Sequence, residues 1–253
     1  IRNEKMYFNE GLTYSSAGSK GASFRYLPKN YTLDAAGSGV YLEKSFKDLN
    51  YSIALLNSSL SFYIIDCLNP TVNTNPGDLK RIPFVLPKKE VQILLSNLAL
   101  INVQILKELT KYSIFEEIYE KSPLEFDINK GFNSSIKLFL TYENYLYCQV
   151  LIIQAIIDEE IFDVYQLTES DKIMVLTKEG PSIGTLPLTS AAKQGYLQEV
   201  EKKNFPLDNI REFIEDLPEK EFTSQERETI EQEFTSLYQN NNDFEQFCIR
   251  HQI

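Results

Sequence analysis

Lys80 and Arg81 stand side by side in the stretch Asn69–Pro87, NPTVNTNPGDLKRIPFVLP, which carries three of the ten prolines in its last twelve residues. Paired cations among Asn, Thr and Gly are suited to a polyanion. Lys and Arg take phosphate oxygens, while short polar side chains and backbone amides take phosphates and base edges. The first ninety residues add Arg25, Lys29, Lys44 and Lys47 beside Tyr7, Tyr14, Tyr26 and Tyr31. The same residues also read as surface cations beside a tyrosine-rich core, and composition alone favours that plainer reading.

Catalytic patterns are sparse. Leu33 to Val40 contains Gly37-Ser38-Gly39 and resembles the Gly-rich turn with which methyltransferases hold S-adenosylmethionine. Such a turn needs a buried apolar strand before it and a helix after it, and Pro28 to Thr32 supplies no such strand. The expectation is a tight turn between strands. Asn69-Pro70-Thr71-Val72 has the first two residues of an Asn-Pro-Pro-aromatic loop but lacks the second proline and the ring that would stack on a flipped base. His251 is the only histidine and sits two residues from the end, a poor place for a Ser-His or Cys-His pair. Asp158-Glu159-Glu160 reads as a solvated face at a helix end. Cys67, Cys148 and Cys248 are odd in number, lie far apart and have apolar neighbours, which reads as buried thiols without a zinc or disulfide pattern. No catalysis by these residues alone is expected.

Several elements must position the basic stretch. Residues 1–47 alternate short apolar and Gly, Ser or Pro groups, predicting short strands with turns at Gly18 to Gly21, Pro28 to Asn30 and Gly37 to Gly39. Leu49, Ile53, Leu56, Leu60, Tyr63 and Cys67 recur at helical steps, predicting one helix from Leu49 to Leu68 that stops before Asn69-Pro70. Asn75 to Asp78 reads as a turn, Ile82 to Leu86 as a short strand, and Pro87 as the opening of a helix from Lys88 to about Lys111. Tyr142 to Ile161 is helical in phase. Gly180 to Thr189 reads as a loop. Asp208 caps a helix to Leu217 with Ile210, Phe213, Ile214 and Leu217 inward. Thr223 to Glu226 matches a capping box, and Phe244, Phe247 and Cys248 mark a last short helix. The fold class is α+β: a mixed part of short strands and helix at 1–90 followed by helical parts at 91–179 and 180–253.

Length and 43% hydrophobic content suit a folded chain of one or two domains. No apolar run reads as long enough to cross a bilayer and no signal peptide is visible, so a cytoplasmic location is expected. Ile1 in first place implies a chain upstream. The net charge of −11 is unevenly spread. Residues 1–90 hold eleven Lys and Arg against eight Asp and Glu, and residues 91–253 hold fourteen against twenty-eight. The first part tolerates phosphate and the second repels it.

Taken together, the motifs resemble a known family. Gly11 to Ser15, Phe24 to Lys29 and Asp34 to Ser38 are similar to the region after the catalytic domain in adenine-specific DNA methyltransferases, of the PglX type found in BREX phage-defence systems. Leu55-Leu56-Asn57-Ser58, Asn69-Pro70-Thr71, Gly77-Asp78-Leu79 and Ile82-Pro83 follow the same order. So do Phe115-Glu116 with Ser122-Pro123-Leu124, Glu159 to Leu167, and Phe247 to Gln252. Two departures stand out: Asn75 replaces an aromatic or Val, and Gln166 stands where Gly is common.

The resemblance implies the target-recognition portion of an N6-adenine DNA methyltransferase from a BREX or other restriction-modification system. The catalytic and cofactor motifs would lie upstream, with S-adenosylmethionine bound by the parent enzyme and no cofactor by these residues. Double-stranded DNA, the upstream catalytic domain and other defence-system proteins are the implied partners, with no membrane. Arg25, Lys29, Lys80 and Arg81 are the expected cations, with Tyr14, Ser15 and Ser16 near base edges. The competing expectation is an acidic helical module that binds a protein and makes no DNA contact.

Overall fold

In this computed structural model the described residues are 4–16, 22–33, 37–43, 46–71, 73–127, 129, 131–180, 190–202, 208–219, 221, 223–225 and 228. They are mainly helical, with one small antiparallel sheet, an α+β arrangement. The chain divides into two compact units. One holds Ile1–Val103 and Ile153–Ser182, the other Gln104–Ile152 and Ile183–Ile253.

The first unit is built on a three-stranded sheet of β1 (Gly11–Ser15), β2 (Phe24–Leu27) and β3 (Gly37–Val40), with β1 in the centre. Leu12 and Tyr14 are two residues apart, so they share a face, and both are buried. Phe24 lies opposite Tyr14 in register, and their ring centroids are 5.2 Å apart. Gly37-Ser38-Gly39 is not the expected turn. It is the body of β3, with Ser15↔Gly37, Tyr14↔Ser38 and Thr13↔Gly39 in register. Gly39 is crowded rather than turned, since a Cβ there would sit 2.7 Å from the Tyr41 ring.

The expected single helix from Leu49 to Leu68 is two helices, α1 (Leu49–Leu56) and α2 (Ser59–Leu68), bent by 63°. Two cap-forming residues make the break. Asn57 closes α1, and Ser58 opens α2 by accepting the Ser61 N–H at 3.2 Å. The Leu55 carbonyl accepts the hydroxyls of Ser58 and Ser61 at 2.7 and 2.6 Å. Asp48 is the N-cap of α1, accepting the Tyr51 N–H at 2.9 Å.

Pro76–Leu79 forms a one-turn helix, α3, where a simple turn was expected. Ile82 to Leu86 forms no strand. Its carbonyls are held by tyrosine hydroxyls instead, Tyr51 donating to Val85 at 2.5 Å and Tyr165 donating to Pro83. Phe84 meets Tyr51 and Phe46 edge-on, at 5.7 and 5.2 Å between ring centroids. Helix α4 (Lys89–Thr110) agrees with the expectation and buries Leu95, Leu98, Ala99 and Ile105. Gln92 and Ser96 on α4 donate to the second carboxylate oxygen of Asp48, at 2.7 and 2.8 Å. Against the expectation, α4 is long and apolar enough by length and composition to cross a membrane, a test that core helices also pass.

Helix α5 (Phe132–Val164) starts ten residues before the expected Tyr142, and α6 is Glu169–Glu179. Gln166, after α5, has φ +55°. The Leu167 N–H reaches Phe162 O and the Gln166 N–H reaches Asp163 O, both at 3.0 Å. That pair of bonds is a Schellman cap with Gln166 in its left-handed position, which accounts for the glycine common there in the resembling family. In the second unit, Tyr112 and Phe139 form a buried aromatic core joined by Phe126, Ile136, Leu140 and Tyr142. Helices α7 (Ser190–Lys202) and α8 (Asp208–Asp216) pack together, and Ile214 and Leu217 are buried. The loop expected after Gly180, the capping box beyond Gln225 and the helix at Phe244 to Cys248 lie outside the described residues.

Candidate functional site

The end of β1 and the polar stretch after α2 are tied together. The Ser16 carbonyl accepts the Thr74 N–H at 2.8 Å. One residue earlier, Ser15 Oγ accepts from Arg25 Nη2 at 2.7 Å, which fixes an exposed guanidinium over the strand end. Arg25 is opposite Thr13 on β2, so the antiparallel register brings it to this end of the sheet.

Asp78 organises the other side of the junction. Its Oδ2 accepts Asn69 Nδ2 at 2.8 Å and the Asn75 N–H at 3.2 Å. Asn69 Nδ2 also donates to the Asn73 carbonyl at 2.8 Å, and Thr71 Oγ1 donates to Asn69 Oδ1 at 2.7 Å. The Asn69 donor, then the Asn75 amide, and then the Arg81 charge hold the Asp78 carboxyl below its ordinary range, so it stays an anion. The backbone of Lys80 and Arg81 is fixed by bonds to Pro76 O at 3.3 Å and Asp78 O at 3.0 Å, while both side chains are exposed. The sequence places Asn, Asp and Pro here because each closes a different part of the loop: Asn69 the α2 end, Pro76 the first turn of α3, Asp78 the cap.

The Ser16–Thr74 bond therefore ties the strand end that holds Ser15 and Arg25 to the stretch that runs on to Asp78, Lys80 and Arg81. Tyr14 reaches this region from inside. At 1% exposure its ring belongs to the core, and burial pushes its phenol up while Ser38 acts in the opposite direction. Tyr14 thus supports the surface and does not present one, contrary to its expected place near base edges. Lys29 is not part of the group. It follows the Leu27 end of β2, which pairs with Gly11, while Arg25 is near the Tyr14↔Phe24 end. The two ends differ by three residues of strand, ~10 Å at ~3.4 Å per residue.

Several polar features were not anticipated. Asp158 is 7% exposed and is no solvated face. Its carboxylate accepts the Ser59 N–H at 2.8 Å, Ser59 Oγ at 2.7 Å and Gln154 Nε2 at 3.3 Å. Burial pushes it up to about 6, against the pull of those donors. Gln154 also donates to the Asn57 carbonyl at 3.2 Å, so α5 grips the α1–α2 break from the side. The only sequence sign was an Asp on the apolar side of α5, one residue after Ile157. Cys67, expected buried, is exposed. Among the described residues no group of three or more His, Cys, Asp or Glu is placed to hold a metal ion.

No protein-family model matches the chain. The chain is 29% identical over 182 residues to the adenine-specific methyltransferase BrxX of Escherichia coli O9:H4 (strain HS), an alignment that takes in 70% of this chain. It spans 14% of that protein's length. The similarity supports a methyltransferase-related protein.

Proposed function

We propose that this chain is the target-recognition portion of an N6-adenine DNA methyltransferase of a BREX-type phage-defence system. In this reading it grips double-stranded DNA with the junction of β1, β2 and the Asn69–Arg81 stretch. The parent enzyme supplies S-adenosylmethionine and the methyl-transfer site from another region, and works in the cytoplasm. The observation that carries the reading is the Ser16–Thr74 hydrogen bond, which ties the strand end next to Ser15 and its Arg25 partner to the Asn69–Arg81 stretch, on a chain similar to an adenine-specific methyltransferase.

The junction has the chemistry of backbone contact. Arg25, Lys80 and Arg81 are exposed cations for phosphate oxygens, and the exposed Thr71, Asn73 and Asn75 carry the short polar groups that reach sugar, phosphate or base edges. The internal bonds of Asn69 and Asp78 shape the loop before a ligand arrives, which reduces the ordering cost of binding. Asp78 cancels part of the Arg81 charge, so the junction is a shaped polar surface with modest positive charge. That suits recognition more than bulk attraction.

Binding of the chain to a labelled random duplex at rising salt tests the reading. A log-linear loss of affinity with salt supports it; no binding even at low salt counts against it. A second reading is an acidic module that binds another protein without touching DNA. The exposed apolar and acidic segment Ile114–Glu120 favours it, and it predicts no response to duplex in the same assay.

A further inference from the structure

We infer that the loop Ile114–Tyr119 is a protein-docking knob, fitting an apolar socket rimmed with Lys or Arg on a partner protein. This goes beyond the DNA-facing junction and uses none of its residues.

Four large apolar side chains fall within six residues here and all are exposed: Ile114 at 53%, Phe115 at 76%, Ile118 at 44% and Tyr119 at 38%. Phe115 is the most exposed large hydrophobic side chain among the described residues. Solvent exposure of apolar groups in such density marks an interaction surface more often than chance. The loop is ordered by its own backbone. Ser113 N–H reaches Thr110 O, Glu116 N–H reaches Ser113 O and Tyr119 N–H reaches Glu116 O, each at 3.0 Å, and Glu120 N–H returns to Lys111 O at 2.8 Å. An ordered knob loses little conformational freedom on docking.

Charge identifies the occupant. The two cations flanking the loop are turned to its base. Lys111 pairs with Glu108 at 2.9 Å and Glu120 at 3.2 Å, and Lys121 lies over the Phe126 and Tyr112 rings at 5.5 and 5.9 Å. Glu116, between the apolar side chains, is exposed. The knob therefore presents apolar bulk around a negative charge at Glu116. DNA and anionic lipid surfaces are repelled by that pattern, whereas a protein surface with an apolar centre and a basic rim complements both parts. An aromatic anchor with a polar rim is also the anatomy of a binding hot spot.

The test uses site-specific photo-cross-linking in cells that make the protein naturally, with the photoreactive side chain in place of Phe115 or, as a control, Ile173 on α6, which is 65% exposed. The captured protein is identified, purified and titrated against the full chain. The expected result is one species captured from position 115 and not from 173. Phe115→Ala weakens its binding at least ~30-fold. Glu116→Lys also weakens it and flattens its salt dependence. Phe115 is so exposed that its truncation leaves the fold intact, which circular dichroism checks. Equal capture from both positions, no capture, or a partner indifferent to Phe115→Ala overturns the inference. So does binding to phosphatidylcholine vesicles that Phe115→Ala abolishes, which would make the knob a membrane anchor.

Discussion

The carboxamide of Asn57 completes the free edge of β2 at Phe24. Its Oδ1 accepts the Phe24 N–H and its Nδ2 donates to the Phe24 carbonyl, both at 2.9 Å. β2 is an outer strand of the sheet, so the Phe24 groups facing away from β1 have no strand to pair with. One side chain replaces that strand, and its position at the end of α1 explains why the helix breaks there. The break, the sheet edge and the strand end that carries Arg25 are thus one unit.

Asn57→Ala leaves a donor and an acceptor of Phe24 without partners in a partly buried place. An unsatisfied group costs ~1–3 kcal/mol, so the expected loss is about 3 kcal/mol of unfolding free energy by urea titration. Asn57→Asp keeps the acceptor for the N–H but sets an anionic oxygen against the Phe24 carbonyl, and is expected to be no better than alanine. A loss below ~0.5 kcal/mol for both would show that water satisfies this edge.

Asp158 gives a pH dependence with a definite sign. Burial holds its carboxyl at about 6 in the folded chain, above the ~4 of an unfolded Asp. The folded state binds the proton more tightly, so ionised Asp158 lowers stability. That cost is fully present above about pH 6, shrinks as pH falls through 6, and is gone below ~4. Urea titrations of wild type and Asp158→Asn from pH 8 to 4 isolate the effect from the other carboxylates. Relative to the variant, the wild type gains on the order of 2 kcal/mol as pH falls across that window. Parallel curves would mean that water reaches the carboxylate and that Ser59 and Gln154 hold it near its ordinary range.

Gln166 occupies a left-handed position that glycine takes at lower cost. Gln166→Gly keeps both cap bonds and is expected to raise stability by about 1 kcal/mol, a shift of a few degrees in Tm. Unchanged or lower stability would show that the Gln side chain makes up the backbone strain.

The long periodic helices were legible in the sequence because burial there follows a local rule. Leu95, Leu98 and Ile105 of α4 mark the buried face at their spacing alone. The α1–α2 break was hidden because Ile53, Leu56, Leu60 and Tyr63 keep helical spacing across it. Beside its local caps, the break is held from outside the helix: Asn57 bonds to Phe24, 33 residues away, and Ser59 to Asp158, 99 residues away. Gly37-Ser38-Gly39 looked like a turn because glycine usually marks one, whereas it is a strand in which Gly39 lies close against the Tyr41 ring. At the candidate site, residue types gave the cations and the Asn75–Asp78 turn chemistry. They did not show that Ser16 bonds Thr74, that Tyr14 is buried, or that Lys29 leaves from the far end of β2, since each depends on strand register.

Position on the sheet also separates two cations that composition treats alike. Arg81→Ala removes a cation from the junction, and Lys29→Ala removes one at the opposite strand end. The first is expected to reduce the salt slope of duplex binding by about 1 and the second to leave it nearly unchanged. Equal effects would extend the DNA-facing surface over the whole sheet.

In the proposed function, Arg25 and the Lys80–Arg81 corner face DNA. The most direct measurement is duplex affinity against salt for the wild-type chain and for combined Lys80→Glu and Arg81→Glu. Both side chains are exposed, so the fold is expected to survive the charge reversal. A DNA-facing corner predicts wild-type binding that falls log-linearly with salt, and a variant that binds more weakly with a slope shallower by about 2. Wild-type binding with an unchanged slope in the variant would place the contact elsewhere, and no wild-type binding at any salt would contradict a DNA-gripping role for this chain.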